Sequence, residues 1–90
     1  MDFLPIQYHL EIYENSFVND VSLAFSSHSP FQNFSVGDYF NHQLLNCWYT
    51  ELKKDETFQV KIVEHIMWKI ENSHIGHKVM VCLELTKQTG

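Results

Sequence analysis

Arginine is absent from this chain of 90 residues, and neither arginine nor lysine occurs in residues 1–52. Arginine recognises phosphate through forked hydrogen bonds and supplies the commonest base contact, so its absence argues against nucleic-acid binding. A half of the chain without lysine also cannot make the phosphate contacts that dominate the affinity of such proteins. The sequence therefore predicts that the protein binds no nucleic acid directly.

Cysteine is scarce, and only Cys47 and Cys82 are present. The first residues lack the basic start and apolar core of an export signal, so we expect both cysteines to be free thiols. No segment approaches the roughly 18 consecutive apolar residues of a membrane span. These absences predict a cytoplasmic protein that does not associate with a membrane.

Glycine is also infrequent, with three residues, so the turns are expected to depend on asparagine, serine and aspartate. The hydrophobic fraction of 44% and the aromatic fraction of 14% indicate a packed globular protein. A chain of this length is large enough for one hydrophobic core and too small for two. We therefore predict a single domain over residues 1–90.

The most regular pattern lies in residues 58–85, where apolar and polar residues alternate. The apolar residues of its first part take even positions: Val60, Ile62, Ile66, Trp68 and Ile70. Those of its second part take odd positions: Val79, Val81, Leu83 and Leu85. A period of two is typical of strands with one buried face, because successive side chains point to opposite sides. The pattern predicts an antiparallel hairpin.

The change from even to odd positions predicts the register of this hairpin. Two such strands bury the same face only if the numbers of the paired residues add to an odd sum. This parity argument gives a sum of about 147 and a loop with an even number of residues within residues 72–76. Met67 is then expected opposite Met80, and His65 opposite Cys82, on the second face of the sheet. Glu64 interrupts the apolar positions, which suggests a bulge or a polar contact there.

A second hairpin is predicted near the N-terminus. Apolar residues alternate through residues 4–14 and again through residues 21–26, and the parity again changes between the two segments. Asn15 and Ser16 provide turn chemistry between them, and Asn19 with Asp20 extends it.

Residues 39–52 carry an ambiguous signal. Phe40, Leu44, Trp48 and Leu52 recur every four residues after a potential capping residue, Asp38, which favours a helix. The aromatic content of the same segment favours a strand, which is the interpretation we prefer. The predicted fold is therefore all-β, with about five antiparallel strands in two hairpins forming a curled sheet or small barrel. The alternative is an α+β fold in which a helix at 39–52 packs on a four-stranded antiparallel sheet.

Six histidines raise the question of a metal site or a catalytic site. Their spacings do not match those of zinc fingers, zinc ribbons or metalloprotease helices, so no metal or other cofactor is predicted. Cys82 and His65 form the best candidate nucleophile and base, yet a mid-strand cysteine lacks the loop or helix start on which catalytic thiols usually lie. We therefore predict a protein that is not an enzyme.

The net charge of −5 suggests a basic binding partner, because acidic side chains dominate the lysine-free half. The predicted function is a non-enzymatic protein-interaction domain, such as an inhibitor or immunity-type protein that binds a basic, nucleic-acid-processing protein. The alternative is a structural subunit that forms a homodimer through a sheet edge or a methionine-rich face. The residues predicted to contact a partner are Glu11, Glu14, Asp20, Asp38, Trp48, Tyr49, Glu51, Met67 and Met80.

Overall fold

The computed structural model of the protein describes residues 4–40 and 55–87. Five strands account for most of these residues: β1 (Ile6–Glu14), β2 (Val21–Ser27), β3 (Tyr39–Phe40), β4 (Glu56–Ile70) and β5 (His74–Lys87). No helix occurs in the described residues, which confirms the all-β prediction. Tyr39 and Phe40 are in a strand, as we preferred, whereas residues 41–52 of that ambiguous segment lie outside the described residues.

The strands form one sheet in the order β2-β1-β5-β4-β3, which curls into a half-barrel. Both predicted hairpins are present, since β1 pairs antiparallel with β2 and β4 pairs antiparallel with β5. The expectation that all strands are antiparallel is wrong, because β1 and β5 run parallel from the Ile6–Ile75 pair to the Glu14–Leu83 pair. The sheet is therefore mixed.

The parallel pair has a topological cause. Parallel neighbours require a long crossover connection, and β2, β3 and β4 together provide it between β1 and β5. The segment between β2 and β3 crosses from one edge of the sheet to the other. On its way it packs Phe31 and Phe34 against the core, so this segment covers one face of the half-barrel.

The register of the β4–β5 hairpin differs from the prediction. Its turn has three residues between the paired Ile70 and His74, and Asn72 adopts a left-handed φ of 61°. Met67 consequently lies opposite His77 instead of Met80. The parity argument failed because it assumed that each strand keeps one face inward over its whole length.

A β-bulge at Lys61 breaks that assumption. Val60 pairs with Leu83, and Ile62 already pairs with Cys82, so Lys61 is the extra residue on β4. Before the bulge, even-numbered side chains of β4 point toward the core. After it, odd-numbered side chains do, which places the apolar even positions on the opposite face. The bulge lies three residues before Glu64, where the sequence suggested one.

The core lies on the face of the sheet that we call the inner face. Its buried members come from β1, β4 and β5 and are less than 6% exposed: Leu10, Ile12, Phe58, Val60, Val81 and Leu83. All of them lie at the end of the sheet that is distant from the β4–β5 turn. Beyond the bulge, β4 extends away from this core, and most of its residues there are exposed.

Candidate interaction surface on the β4–β5 hairpin

On one side, the distal part of β4 pairs with no other strand that the structure describes. Strand β3 pairs only with Phe58 and Gln59, and the backbone of Val60 bonds to Gly37 and Asp38. Among residues 4–40 and 55–87, no strand pairs with β4 on that side beyond Val60. We call residues 61–70 along this side the free edge. Unpaired edges of this length bind other strands readily.

The hydrogen-bonding groups of the free edge follow from the neighbouring strand. The amide of Ile75 donates to Pro5, and the carbonyl of Leu83 accepts from Asn15, so odd-numbered residues of β5 face β1. Even-numbered residues of β5 and their partners on β4 therefore bond to each other. Between Lys61 and Ile70, the other residues of β4 therefore direct their amide and carbonyl groups to the free edge: Val63, His65, Met67 and Lys69.

An apolar stripe runs beside the free edge on the outer face, which is the face opposite the core. Ile62, Ile66 and Ile70 are 38%, 44% and 47% exposed, and each is four residues from the next. Strands with one solvated face ordinarily carry polar residues at such positions. This isoleucine stripe, lying next to unpaired backbone groups, therefore indicates a contact surface.

The outer face next to the stripe holds a shallow cleft of about 290 Å³. Trp68 forms one wall: its indole stacks on the imidazole of His9 with ring centroids 5.6 Å apart, and it crosses β5 above Gly76. His9 in turn contacts the Ser26 hydroxyl at 2.8 Å. Trp68 is thus held from both sides and does not extend into solvent.

Glu11 lies at the far wall of the cleft. Its carboxylate is 3.4 Å from the Lys78 ammonium and accepts a hydrogen bond of 2.8 Å from the Tyr13 hydroxyl. Burial, followed by the hydrogen bond to Glu11 and the negative charge of Glu11, raises the pKa of Tyr13 to about 12. This carboxylate already has two partners within the chain, so it does not project as a free acidic group.

The raised pKa of Tyr13 predicts how stability depends on pH. The unfolded chain releases the Tyr13 proton near the ordinary pKa of 10, whereas the folded chain retains it to about 12. The free energy of unfolding is therefore expected to fall as the pH rises between these values. Urea unfolding at pH 9 to 12 should show a smaller fall in the free energy of unfolding for Tyr13→Phe, because this variant lacks the phenol that titrates. An equal fall in the free energy of unfolding for the two proteins would contradict the raised pKa of Tyr13.

On the inner face beyond the core, two imidazoles meet. Nδ1 of His65 lies 3.0 Å from Nε2 of His77, and the ring of Tyr8 packs against His77. His65 was predicted to face Cys82, which is wrong: Val79 lies opposite His65, and Ile62 lies opposite Cys82. The bulge places His65 and Cys82 on different faces of the sheet.

Cys82 is a free thiol in the middle of β5 and is 1% exposed. Burial raises the pKa of this thiol, an effect that the nearby Lys61 partly opposes. A protonated and buried thiol is a poor nucleophile. The geometry therefore does not assemble the nucleophile and base that the sequence suggested.

The acidic residues predicted to contact a partner lie apart from one another. Asp20 precedes β2 at one edge of the sheet, whereas Asp38 lies beside β4 at the opposite edge, roughly 20 Å away at the usual strand spacing. Glu14 is 3% exposed and accepts a short hydrogen bond from the Ser22 hydroxyl. The structure thus does not bring these carboxylates together into one surface.

The two predicted methionines are also separated. Met67 is 64% exposed on the inner face, whereas Met80 lies half-buried on the outer face opposite Glu64. Trp48, Tyr49 and Glu51 lie outside the described residues. The site residues that sequence reasoning missed are the three isoleucines of the stripe, which were assigned to the core. The break at Glu64 suggested a bulge, but it did not show that the bulge lies before Ile62 and turns all three isoleucines outward.

Comparisons with known proteins give no assignment: no family model, curated protein or solved structure matches this chain. In the part of the chain that the structure describes, no helix has the length and apolar character needed to cross a membrane. The functional argument therefore depends on the geometry of the free edge and the stripe.

Proposed function

We propose that this protein is a non-enzymatic, self-associating subunit that forms a homodimer through the free edge of β4. The observation that carries the proposal is that the ten-residue segment 61–70 combines backbone groups that no described strand pairs with and the exposed isoleucine stripe. Two copies that pair antiparallel along this edge form one continuous sheet and remove both edges from solvent. The free thiol Cys82 supports a cytoplasmic location.

The occupant is a second copy because the segment is self-complementary about Ile66. An antiparallel pair centred on this residue places Ile66 against its own symmetry mate and Ile62 against Ile70. It also places Lys61 against Glu71, so opposite charges meet at both ends of the pair. Within one chain the Glu71 carboxylate lies 3.5 Å from the Lys69 ammonium, and this exposed ion pair is too weak to hold Glu71 there.

The backbone agrees with this register. The amide and carbonyl of Ile66 point toward β5, so the central pair of the dimer is a non-hydrogen-bonded one, in which facing side chains lie closest. The adjacent pairs join His65 to Met67 of the second copy, and both residues present their hydrogen-bonding groups to the free edge. The isoleucines therefore make their closest contact where the symmetry axis passes.

The acidic-partner function has less support. It requires carboxylates that converge, whereas Glu14 is buried, Glu11 is paired with Lys78, and Asp20 and Asp38 lie at opposite edges. Binding to a basic protein stays a prediction of the sequence. Its signature is capture of that protein at low salt and release at high salt, which self-association through apolar contacts does not share.

The test is sedimentation velocity of the purified chain and of Ile66→Lys over a range of concentrations. Because two lysines would face each other at the symmetry axis, we expect the dimer dissociation constant to rise about 100-fold or more. Val18→Lys is the matched control, since it introduces the same charge at a side chain that is 91% exposed in the β1–β2 loop. A monomer at all concentrations, or equal association of both variants, would overturn the proposal.

The proposed register has its own test. Lys61→Glu and Glu71→Lys, made singly, each place like charges at both ends of the dimer, and we expect each to weaken association by about two- to tenfold. The double variant exchanges the charges and should associate like the original protein. If the double variant is weaker than both single variants, the two copies pair in another register.

A further inference from the structure

The imidazoles of His65 and His77 take no part in the isoleucine contact of the proposed dimer, to which His65 contributes only its backbone groups. His65 lies on β4 and His77 lies on β5, and the two are diagonal neighbours across the pair because Val79 lies opposite His65. Both side chains are on the inner face, beyond the buried core. Their nearest ring nitrogens, Nδ1 of His65 and Nε2 of His77, are 3.0 Å apart.

The orientation of one ring is set by a third strand. Tyr8 of β1 pairs with His77 in the parallel ladder, and the two rings lie with centroids 5.9 Å apart at an angle of 59°. The hairpin itself fixes the spacing between His65 and His77. The two nitrogens therefore converge because the sheet holds them, which is the preorganisation that a ligand site requires.

We propose that His65 and His77 together bind one divalent transition-metal ion of the Zn²⁺ and Ni²⁺ class. Neutral imidazole is a preferred ligand of these ions, and both facing nitrogens can be unprotonated at once if each ring carries its proton on the other nitrogen. Two ligands at 2.0–2.1 Å in tetrahedral geometry are separated by about 3.3 Å. Binding the ion therefore replaces the hydrogen bond between the rings: the nitrogens separate by about 0.3 Å, and both rings turn so that their lone pairs point at the ion.

The site is an open one. Residues 4–40 and 55–87 contain no group of three or more histidine, cysteine, aspartate or glutamate side chains that could hold an ion. Water therefore completes the coordination of the ion. The ion exchanges readily with solution because the two histidines lie at the surface. The bound ion joins β4 to β5 and is expected to stabilise the hairpin.

Calorimetric titration with NiCl₂ and with ZnCl₂ tests the proposal on the full chain. The comparison is made in a Cys47→Ser background, so that this thiol does not compete for the ion. We expect one ion per chain and a dissociation constant at least tenfold higher in His65→Asn and in His77→Asn. His74→Asn is the matched control, because His74 lies next to the turn, where its Nδ1 is 2.9 Å from the neighbouring Ser73 hydroxyl.

Thermal unfolding gives a second measurement. Saturating Ni²⁺ should raise the melting temperature of the original chain and of His74→Asn, and it should leave that of His77→Asn unchanged. The proposal would be overturned if all three histidine variants bound the ion with equal affinity. It would also be overturned if His74→Asn lost as much affinity for the ion as His65→Asn and His77→Asn. Circular dichroism of each variant without metal checks that the sheet is retained.

The site is independent of self-association, and one variant separates the two proposals. Ile66→Lys alters the outer face, whereas the imidazoles are on the inner face. Retention of metal binding in this variant supports a site built within one chain. Loss of metal binding in Ile66→Lys would show that the ion needs residues of two copies, and would overturn the site as proposed.

Discussion

Replacing Phe58 with alanine is expected to lower the free energy of unfolding by about 3–5 kcal/mol. Phe58 is 0% exposed and is the largest fully buried side chain in residues 4–40 and 55–87. It lies between Phe40 on β3 and Leu85 on β5, so its loss leaves a cavity between two strand pairs. Because the rigid sheet on both sides cannot collapse into that space, we expect a cost near the upper end of this range.

The consequence for the whole protein is severe. A chain of this length has a total stability of about 5–13 kcal/mol, so this substitution removes a large part of it. Urea unfolding monitored by circular dichroism measures the effect. Phe25→Ala is the matched control, since this side chain is 45% exposed on the edge strand β2 and should lose about 1 kcal/mol or less. Similar losses in both variants would place the core elsewhere.

Replacing Gly76 with alanine is expected to lower the free energy of unfolding by about 1–3 kcal/mol, although alanine is the better strand residue. A Cβ atom at this position would lie 2.1 Å from Cε2 of the Trp68 indole. The indole can retreat only by giving up its stacking on His9. The substitution therefore exchanges a small backbone gain for a larger loss of packing.

A double-mutant cycle identifies this cause. A Trp68→Ala background removes the three atoms nearest to the added methyl group, so Gly76→Ala should then be neutral or slightly stabilising. The coupling between the two substitutions is expected to be about 1–3 kcal/mol in urea unfolding. An equal effect of Gly76→Ala in both backgrounds would show that the backbone at Gly76, and not the indole, sets the cost.

The strands could be predicted from the sequence because alternation is a local property. The two hairpins, and core positions such as Leu10, Ile12 and Leu83, follow from apolar residues at every second position. The parallel pairing of β1 with β5 could not be predicted in this way. It joins segments separated by more than sixty residues and depends on the path of everything between them.

The candidate surface was harder to predict, because a single bulge decides it. Val60 and Ile62 are both even and both apolar, so the pattern continues across Lys61 as if the pleat were regular. The bulge directs Val60 into the core and Ile62 outward. The sequence shows only the break at Glu64, three residues later, which does not locate the change of face at Lys61. The same bulge explains why His65 meets His77 and not Cys82.

The central position of β5 has a consequence for how the chain folds. Strand β5 is the only described strand that pairs with both the β1–β2 hairpin and β4. Until residues 74–87 are in place, the early hairpin and the later strands have no common ladder and remain separate pieces. Contacts between such distant segments slow folding. We therefore expect this small protein to fold on the millisecond-to-second scale of non-local β proteins, in one late step that joins its two halves.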